Sequence, residues 1–269
     1  MIIVRLIGGL GNQLFQYAAA RQLSKIHQTG LKIDISGFKE YKNHRYSLTH
    51  FSIIEDYISK EETFGIEEIK AKYFHFDPEF REIPDNIILT GYWQTEKYFI
   101  GISEIIRDEF TVKYPLKDKD LEISRLIKDS NSVSMHIRRC DYLPGTFKDQ
   151  IFDCLSPDYY INAVKRLSEE ESNLVFFIFS DDPEWSKDNI KLEYPCIFVE
   201  HNTADTNYED LRLMSLCKHS IIANSSFGWW GAWLNKNQNK KVYAPKRWFN
   251  SNVRNLDPKD IIPSAWIKI

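Results

Sequence analysis

The sequence lacks the cysteine patterns of metal sites and disulfide frameworks. Only four cysteines occur in 269 residues, at positions 140, 154, 196 and 217. No Cys-x-x-Cys pair is present, and no group of cysteine and histidine has the spacing of a zinc site. Scattered cysteines at this density are typical of reduced thiols in a cytosol. We therefore expect a cytoplasmic protein that binds no metal.

A strong excess of positive charge and long apolar runs are also missing. The formal net charge is −3, whereas nucleic-acid-binding domains usually carry a basic excess, so we expect no nucleic-acid partner. No run of 18 apolar residues exists, so we expect no transmembrane segment. Peripheral association with the inner face of a membrane stays open. The N-terminal run "MIIVRLIGG" has no basic region ahead of it and no cleavage site, and it predicts a first strand rather than a signal peptide.

What the sequence does contain is enough apolar material for a large α/β core. Hydrophobic residues make up 43% of the chain and aromatic residues 14%. Apolar runs at 2–8 and 31–36 flank a segment of helical spacing at 12–28, which predicts an opening βαβ unit. Predicted strands and helices alternate in both halves of the chain, and this alternation predicts two open, mainly parallel sheets with helices on both faces. The other expected strands are 86–93, 132–139, 173–182, 196–200, 220–226 and 240–245, and the other expected helices are 95–110, one within 113–131, 156–172, 208–219 and 227–237.

The charged segment 113–131 marks the expected domain boundary. A second α/β series begins directly after it, at "SVSMHIRR". We therefore predict one domain over 1–125 and a second over 126–269. Residues 37–86 are rich in aromatic residues but give no ordered pattern.

Four polar clusters follow predicted strands. In open parallel sheets, ligands bind beyond the carboxyl ends of the strands. Arginine forks, acidic groups and helix N-termini at such places suit phosphates and nucleosides. Together they favour a nucleoside-diphosphate ligand. The clusters are "GGLGNQ" (8–13), "HIRRCDY" (136–142), "SDD" (180–182) and "NSSFGWW" (224–230).

The glycine-rich cluster leaves an alternative open. Gly9 and Gly11 would let the backbone approach a phosphate, as in a dinucleotide-binding loop. Leu14 stands where that fingerprint has its third glycine, although Asp34 ends the second strand as a ribose-binding acid would. An NAD-dependent oxidoreductase is therefore one alternative, and a simple tight turn is another.

The arginine pair predicts a phosphate contact. Adjacent side chains on a strand point to opposite faces, so one arginine can face a cleft while an internal partner such as Asp141 holds the other. A planar guanidinium fork suits phosphate oxygens. A purely structural arginine–aspartate network is the alternative.

The last two clusters are each open to two interpretations. Asp181 could accept hydrogen bonds from a base or ribose, or cap the following helix. Ser225 and Ser226 could bind an anion at a helix start, or act as ordinary N-caps. The chain's seven tryptophans and fourteen tyrosines also leave a non-catalytic glycan-binding module open, although the tryptophans at 229, 230 and 233 are better interpreted as core.

The motifs taken together resemble a known family. The segments "GGLGNQLFQYAAA", "GYWQTEKYF", "HIRRCDY", "FIFSDDPEW" and "IIANSSFGWWGAWL" are similar to those of the bacterial α-1,2-fucosyltransferases, glycosyltransferase family 11. The resemblance runs from the first strand to about Pro245. It implies a GT-B fold, in which two Rossmann-like domains face an interdomain cleft, with the acceptor on the N-terminal side and GDP-fucose on the C-terminal side. It further implies transfer from GDP-β-L-fucose to O2 of a β-galactoside with inversion, without a metal or other cofactor.

The resemblance also implies roles for individual residues. Arg138 would contact the β-phosphate, His136 and Asp181 would lie near the nucleoside, and Ser225 and Ser226 near the diphosphate. No discrete base is singled out, since Asp141 could serve as one or only hold Arg139. The expected catalytic residues are Arg138, Asp141 and Asn12, and the expected donor-binding residues are Gly9, Gly11, Gln13, His136, Arg139, Ser180, Asp181, Asn224, Ser225, Ser226 and Phe227.

Overall fold

The chain folds into two compact units. The computed structural model describes residues 1–39, 44–59, 61–146, 148, 150–250, 252–253 and 256–269. The first unit comprises Met1–Tyr114 and Leu256–Pro263, and the second comprises Pro115–Asn255 and Ser264–Ile269. The boundary expected at residue 125 falls inside a helix, Asp118–Asp129, which packs against a helix of the second unit.

The first unit is built on a four-stranded sheet in the order β2-β1-β4-β3. The described strand pairings are all parallel. The chain moves from β1 to β2 on one side and later places β4 on the other side, so the strand order reverses between β1 and β4. The elements are β1 Ile2–Arg5, α1 Leu10–Ile26, β2 Leu31–Asp34, β3 Glu67–Lys70, β4 Ile87–Thr90 and α2 Ser103–Glu109.

The second unit contains a six-stranded sheet in the order β10-β9-β8-β5-β6-β7, again paired in parallel throughout the described residues. Its order reverses between β5 and β8, the place where open α/β sheets form ligand crevices. The elements are α3 Asp118–Asp129, β5 Asn131–Ile137, α4 Pro157–Ser168, β6 Leu174–Ser180, α5 Pro183–Asn189, β7 Cys196–Val199, α6 Asn207–Leu216, β8 His219–Ile221, α7 Ser226–Leu234, β9 Val242–Ala244 and β10 Ile267–Lys268.

Burial explains why the central strands of the second unit read as continuous apolar runs. A parallel sheet covered on both faces leaves no strand face for water. β5 and β6 are buried along nearly their whole length, and the apolar side of α4 packs on them. The tryptophans of α7, Trp229, Trp230 and Trp233, are also buried and pack on one another. They are core residues, as expected, and are not available as sugar platforms.

The structure corrects one expected element and contains two strands that the sequence did not predict. The helix predicted over 95–110 is divided into two short 3-10 turns, Glu96–Tyr98 and Ile100–Ile102, followed by α2. Gly101 lies in the second of these turns, and glycine weakens a helix interior. The two strands that were not predicted are β3, whose residues are largely exposed, and β10, which has only two residues. Exposed and very short strands have no apolar alternation to recognise.

Candidate active site

Arg138 is fixed in a bidentate ion pair directly after β5. Its Nε and Nη2 donate to the two carboxylate oxygens of Asp141 at 2.8 and 2.6 Å. Nε also lies 3.3 Å from Oδ2 of Asp181. Burial opposes a charged guanidinium, but Asp181 and Asp141 outweigh it and raise the pKa of Arg138. The arginine is therefore a permanent, preorganised cation at the carboxyl end of the central strand.

The carboxylate of Asp141 contacts two positively charged side chains. Besides Arg138, the Nζ of Lys148 contacts its Oδ2. Burial works against ionisation of Asp141, yet hydrogen bonds from Arg138 and the contact with Lys148 lower its pKa. A carboxylate held in this way is a weak base. Its geometry is that of a group that orients Arg138.

The partner expected for Arg139 is wrong. Arg139 does not pair with Asp141; its Nε lies 3.3 Å from Asp182 Oδ2, and its guanidinium carbon lies 3.7 Å from the ring centre of Trp185. The reason is local backbone geometry. At Arg139 φ is −141° and ψ is −59°, so the chain has left the extended conformation in which neighbours alternate faces.

Asp181 holds the segment that carries the arginines. Its two carboxylate oxygens accept hydrogen bonds from the backbone N–H groups of Arg139 at 2.8 Å and Cys140 at 3.1 Å. Burial raises the pKa of Asp181 in spite of the opposing effect of Arg138. The helix cap that the sequence left open is instead Asp182, which accepts from the N–H of Trp185. Asp181 thus joins the ends of β5 and β6.

Ser180, the last residue of β6, belongs to the same junction. Its hydroxyl accepts a hydrogen bond from the N–H of Asp182 at 3.0 Å and lies 2.9 Å from the hydroxyl of Ser186. These contacts shape the turn into α5.

His136 is buried where β5 meets the start of α7. Its ring centre lies 5.6 Å from that of Phe227, and a Cβ built on Gly228 would stand 2.6 Å from its Nδ1. Burial, helped by Arg138, lowers the pKa of His136 to about 3, so the imidazole is neutral at physiological pH. Its place links the arginine segment to the helix N-terminus.

The start of α7 is capped and anchored. Ser225 is the N-cap, and its hydroxyl accepts from the N–H of Phe227, which confirms the capping alternative for this serine. Asn224 is buried and donates through Nδ2 to the carbonyls of Asp153 and Trp248, each at 3.1 Å. Ser226 is the first residue of the helix. The N-terminus of α7 contributes partial positive charge at the switch point of the second sheet, which is the place between β5 and β8 where the strand order reverses.

The glycine-rich segment of the first unit ends in a fixed amide pair. Gly9 is the N-cap of α1, Gly11 is buried in its first turn, and a Cβ on Gly9 would stand 3.4 Å from the ring of His44. Asn12 Oδ1 accepts from Nε2 of Gln94 at 2.8 Å. This bond joins the residues that follow β1 and β4, at the switch point of the first sheet.

Gln13 has a structural environment rather than an open one. It is fully buried, donates to the carbonyls of Gly8 and Arg45 at 2.8 Å each, and accepts from the N–H of Ser47 at 2.9 Å. Its amide therefore fastens the glycine turn to residues 45–47. The side-chain nitrogen and oxygen of Gln13 therefore both have hydrogen-bond partners among the described residues.

Asp34 is not placed as a ribose-binding acid. It is fully buried, and its carboxylate accepts hydrogen bonds from Nε of Arg5 at 2.7 Å and from the N–H of Ser36 at 2.9 Å. Burial opposes its ionisation, but the hydrogen bonds from Ser36 and Arg5 lower its pKa. Asp34 therefore gives no support to the dinucleotide interpretation.

Three residues that the sequence analysis did not select belong to these clusters. Gln94 orients Asn12, Lys148 contacts Asp141, and Trp185 stacks on Arg139. Gln94 and Trp185 lie just after predicted strands, in "GYWQ" and "SDDPEW", so position alone could have indicated them. Lys148 lies in a loop with no local signal.

The described residues contain neither a cluster of metal-ligating side chains nor a membrane-spanning helix. No group of three or more histidine, cysteine, aspartate or glutamate side chains could hold a metal ion there. Within the same residues, no helix combines the length and the apolar character needed to cross a membrane.

Comparison with known proteins identifies the family. The whole chain, residues 1–269, matches the model of a protein family that is described as "Glycosyl transferase family 11". It belongs to glycosyl transferase family 11. This family 11 transferase is 36% identical to an alpha-1,2-colitosyltransferase of Escherichia coli, over 100% of this chain and 99% of that protein. It is 24% identical to galactoside alpha-(1,2)-fucosyltransferase 2 of Hylobates lar, over 87% of this chain and 69% of the relative.

The GT-B fold expected from the sequence is confirmed. The structure of the NodZ alpha-1,6-fucosyltransferase soaked with GDP-fucose superposes on this family 11 transferase with a TM-score of 0.54, covering 87% of this chain and 92% of that chain. The identity is 14%, so the likeness concerns the fold. Parallel sheets in both units agree with it. The chain is thus a family 11 glycosyltransferase with a parallel α/β sheet in each of its two units, as predicted.

Proposed function

We propose that this glycosyltransferase transfers L-fucose from GDP-β-L-fucose to O2 of a terminal β-galactose, with inversion and without a metal ion. The single observation that carries the proposal is the bidentate pair of Arg138 and Asp141 at the switch point of the second sheet. The α-1,2-linkage is part of the names of the two relatives described above. GDP-fucose is the compound soaked into the superposed fucosyltransferase.

The chemistry follows from charge development. When GDP leaves, negative charge grows on the diphosphate and the sugar gains oxocarbenium character. A fixed cation and the N-terminus of α7 can stabilise that charge without reorganising. Asp141 and Asp181 keep Arg138 in place, so in this proposal they act as positioning residues.

No strong base is assigned to the acceptor hydroxyl. His136 is neutral but buried, and Asp141 has a lowered pKa and two cationic partners. A dissociative path, in which the proton leaves late, needs only a weak acceptor for it. We therefore assign Asn12, held by Gln94, to the orientation of reacting groups rather than to proton transfer.

A second donor is favoured by one observation. The relative matched along its whole length transfers colitose, a sugar that differs from L-fucose by the loss of one hydroxyl group. A pocket that accepts fucose through that hydroxyl would reject colitose strongly, whereas an apolar pocket would discriminate little. The two donors can thus be separated by experiment.

The test is a transfer assay with two donors and several acceptors. The purified protein is incubated with GDP-fucose or GDP-colitose and with β-galactosides or matched β-glucosides, and the product linkage is read by NMR. We expect α-1,2-linked fucose on the galactosides only. Efficient transfer of colitose with no transfer of fucose would reassign the donor, and no transfer to any galactoside would refute the acceptor.

A further inference from the structure

A cavity of about 490 Å³ lies in the first unit and is lined in part by Arg5 and Ser36, the two partners of Asp34. This volume falls within the range of small-ligand sites, roughly 300–1,000 Å³. Glu68 of β3 pairs with Ile88 of β4, and Ile88 pairs in turn with Ile3 of β1. Arg5 lies two residues after Ile3 on the same strand, so its side chain is on the same face of the sheet as those of Glu68 and Ile88. The cavity is lined by Arg5, Ser36, Thr63, Phe64, Gly65, Ile66, Glu68 and Ile88.

The charges at the cavity favour a neutral, hydroxyl-rich ligand. Arg5 donates through Nε to Asp34 at 2.7 Å and through Nη1 to Glu68 at 2.5 Å. One cation between two carboxylates leaves no net positive charge to attract an anion. The same fixed groups offer donors and acceptors side by side, which is what sugar hydroxyls require.

Phe64 supplies an apolar platform at the cavity wall. It is 94% exposed, the highest value among the large hydrophobic side chains described. The turn that presents it is well defined, because the N–H of Ile66 bonds to the carbonyl of Thr63 and Gly65 has φ +78°. An exposed aromatic ring beside a polar cavity has a free face on which the apolar side of a ligand can stack.

We propose that this cavity, which we call the Phe64 cavity, binds the neutral sugar residues of the acceptor glycan that precede its terminal galactose. The inference rests on the proposed function and extends it from the terminal sugar to the rest of the acceptor. Arg5 ends β1 and Ser36 follows β2, so one end of the cavity lies at the carboxyl ends of these strands, where the chain continues from β1 into the glycine-rich segment with Asn12, whereas Phe64 precedes β3. Phe64 would stack on one sugar face, while Arg5 and Glu68 would bind its hydroxyls.

The test compares acceptors of different length. Initial rates are measured with methyl β-galactoside and with a neutral trisaccharide ending in β-galactose. For Phe64→Ala we expect the KM of the trisaccharide to rise roughly tenfold, with kcat and the KM of GDP-fucose unchanged. The KM of methyl β-galactoside should not change. Phe64→Tyr, which keeps the ring, should restore the trisaccharide KM, and Tyr114→Ala removes a half-exposed aromatic residue elsewhere as the matched control.

Binding without turnover separates this inference from the proposed function. Saturation-transfer NMR with the trisaccharide alone should detect binding to the wild type and a loss of signal in Phe64→Ala. Equal KM values for wild type and Phe64→Ala with the trisaccharide would overturn the cavity assignment. If the wild type transferred no fucose, the proposed function would fail, and the NMR comparison would still decide whether the Phe64 cavity binds a neutral glycan.

Discussion

At the scale of single residues, Arg138 and Arg139 carry the same charge but have different surroundings. Arg138 is held by two carboxylates at the end of β5, whereas Arg139 lies against the ring of Trp185 and near Asp182. The first arrangement leaves a preorganised cation at a switch point. The second resembles a packing contact with a cation–π component. This difference can be tested with two matched substitutions.

Arg138→Lys should lower kcat by on the order of 10²–10³, because a lysine cannot reproduce the planar fork that pairs with Asp141 and that we propose contacts the donor phosphate. Initial rates with GDP-fucose and a galactoside provide the measurement. Arg139→Lys is the control and should act on thermal stability more than on kcat, since its contact with Trp185 would be weakened. Near-normal kcat in a folded Arg138→Lys protein would end its proposed role with the leaving group.

A partly buried carboxyl group in the second unit predicts a pH effect on stability. Burial raises the pKa of Asp210 to about 6 from 3.8. Asn202 donates to it at 2.7 Å and His201 lowers its pKa, while Asp120 and Glu209 raise it. The folded protein therefore binds more protons than the unfolded chain between about pH 4 and 6, and the contribution of Asp210 to stability is lost as pH rises through this window.

Asp210→Asn should remove this loss of stability. The change that the substitution makes to the free energy of unfolding should therefore be about 2 kcal/mol more favourable at pH 7 than at pH 4. Urea unfolding of both proteins at several pH values gives the difference directly. The comparison cancels the titration of groups that both proteins share. Parallel stability curves across the window would mean that Asp210 has an ordinary pKa.

At the scale of elements, the contact between β5 and the start of α7 has no spare room. A Cβ on Gly228 would stand 2.6 to 3.2 Å from three atoms of His136, while the space around Gly30 is open to 4 Å. Overpacking of this kind typically costs 1–3 kcal/mol. It would also displace the helix N-terminus from the end of β5.

Gly228→Ala should therefore lower the free energy of unfolding by about 1–3 kcal/mol and reduce kcat, whereas Gly30→Ala should be close to neutral in both. Chemical unfolding and transfer assays on the two variants provide the comparison. Equal behaviour of the two variants would show that α7 can move away from His136 without consequence.

At the scale of the whole molecule, ligand binding should be visible as stabilisation. A ligand that binds only the folded state at about 100 times its Kd adds about 2.7 kcal/mol. We expect GDP to raise Tm in the presence of EDTA, because Arg138 and the N-terminus of α7 are assigned to the diphosphate. Differential scanning calorimetry with and without EDTA and Mn²⁺ checks this. A shift that disappears with EDTA and returns with Mn²⁺ would contradict metal-free binding.

Much of the fold could be read from the chain. Buried parallel strands give long apolar runs, and connecting helices give a different period, so β5, β6 and α4 were predicted within a few residues. Strands without a buried face, such as β3, leave no such pattern. Strand order and the division into units depend on contacts between distant residues, which local periodicity does not contain.

The order of strands and helices along the chain is enough to predict which chemical groups stand at the carboxyl ends of the strands, because these ends form one edge of a parallel sheet. How these groups pair depends on the folded chain. The alternation of side chains holds inside a strand and stops at its end, so Arg138 rather than Arg139 meets Asp141. Asp181 and Gln94 reach their partners across 42 and 82 positions of sequence, and such contacts exist only after neighbouring strands have aligned.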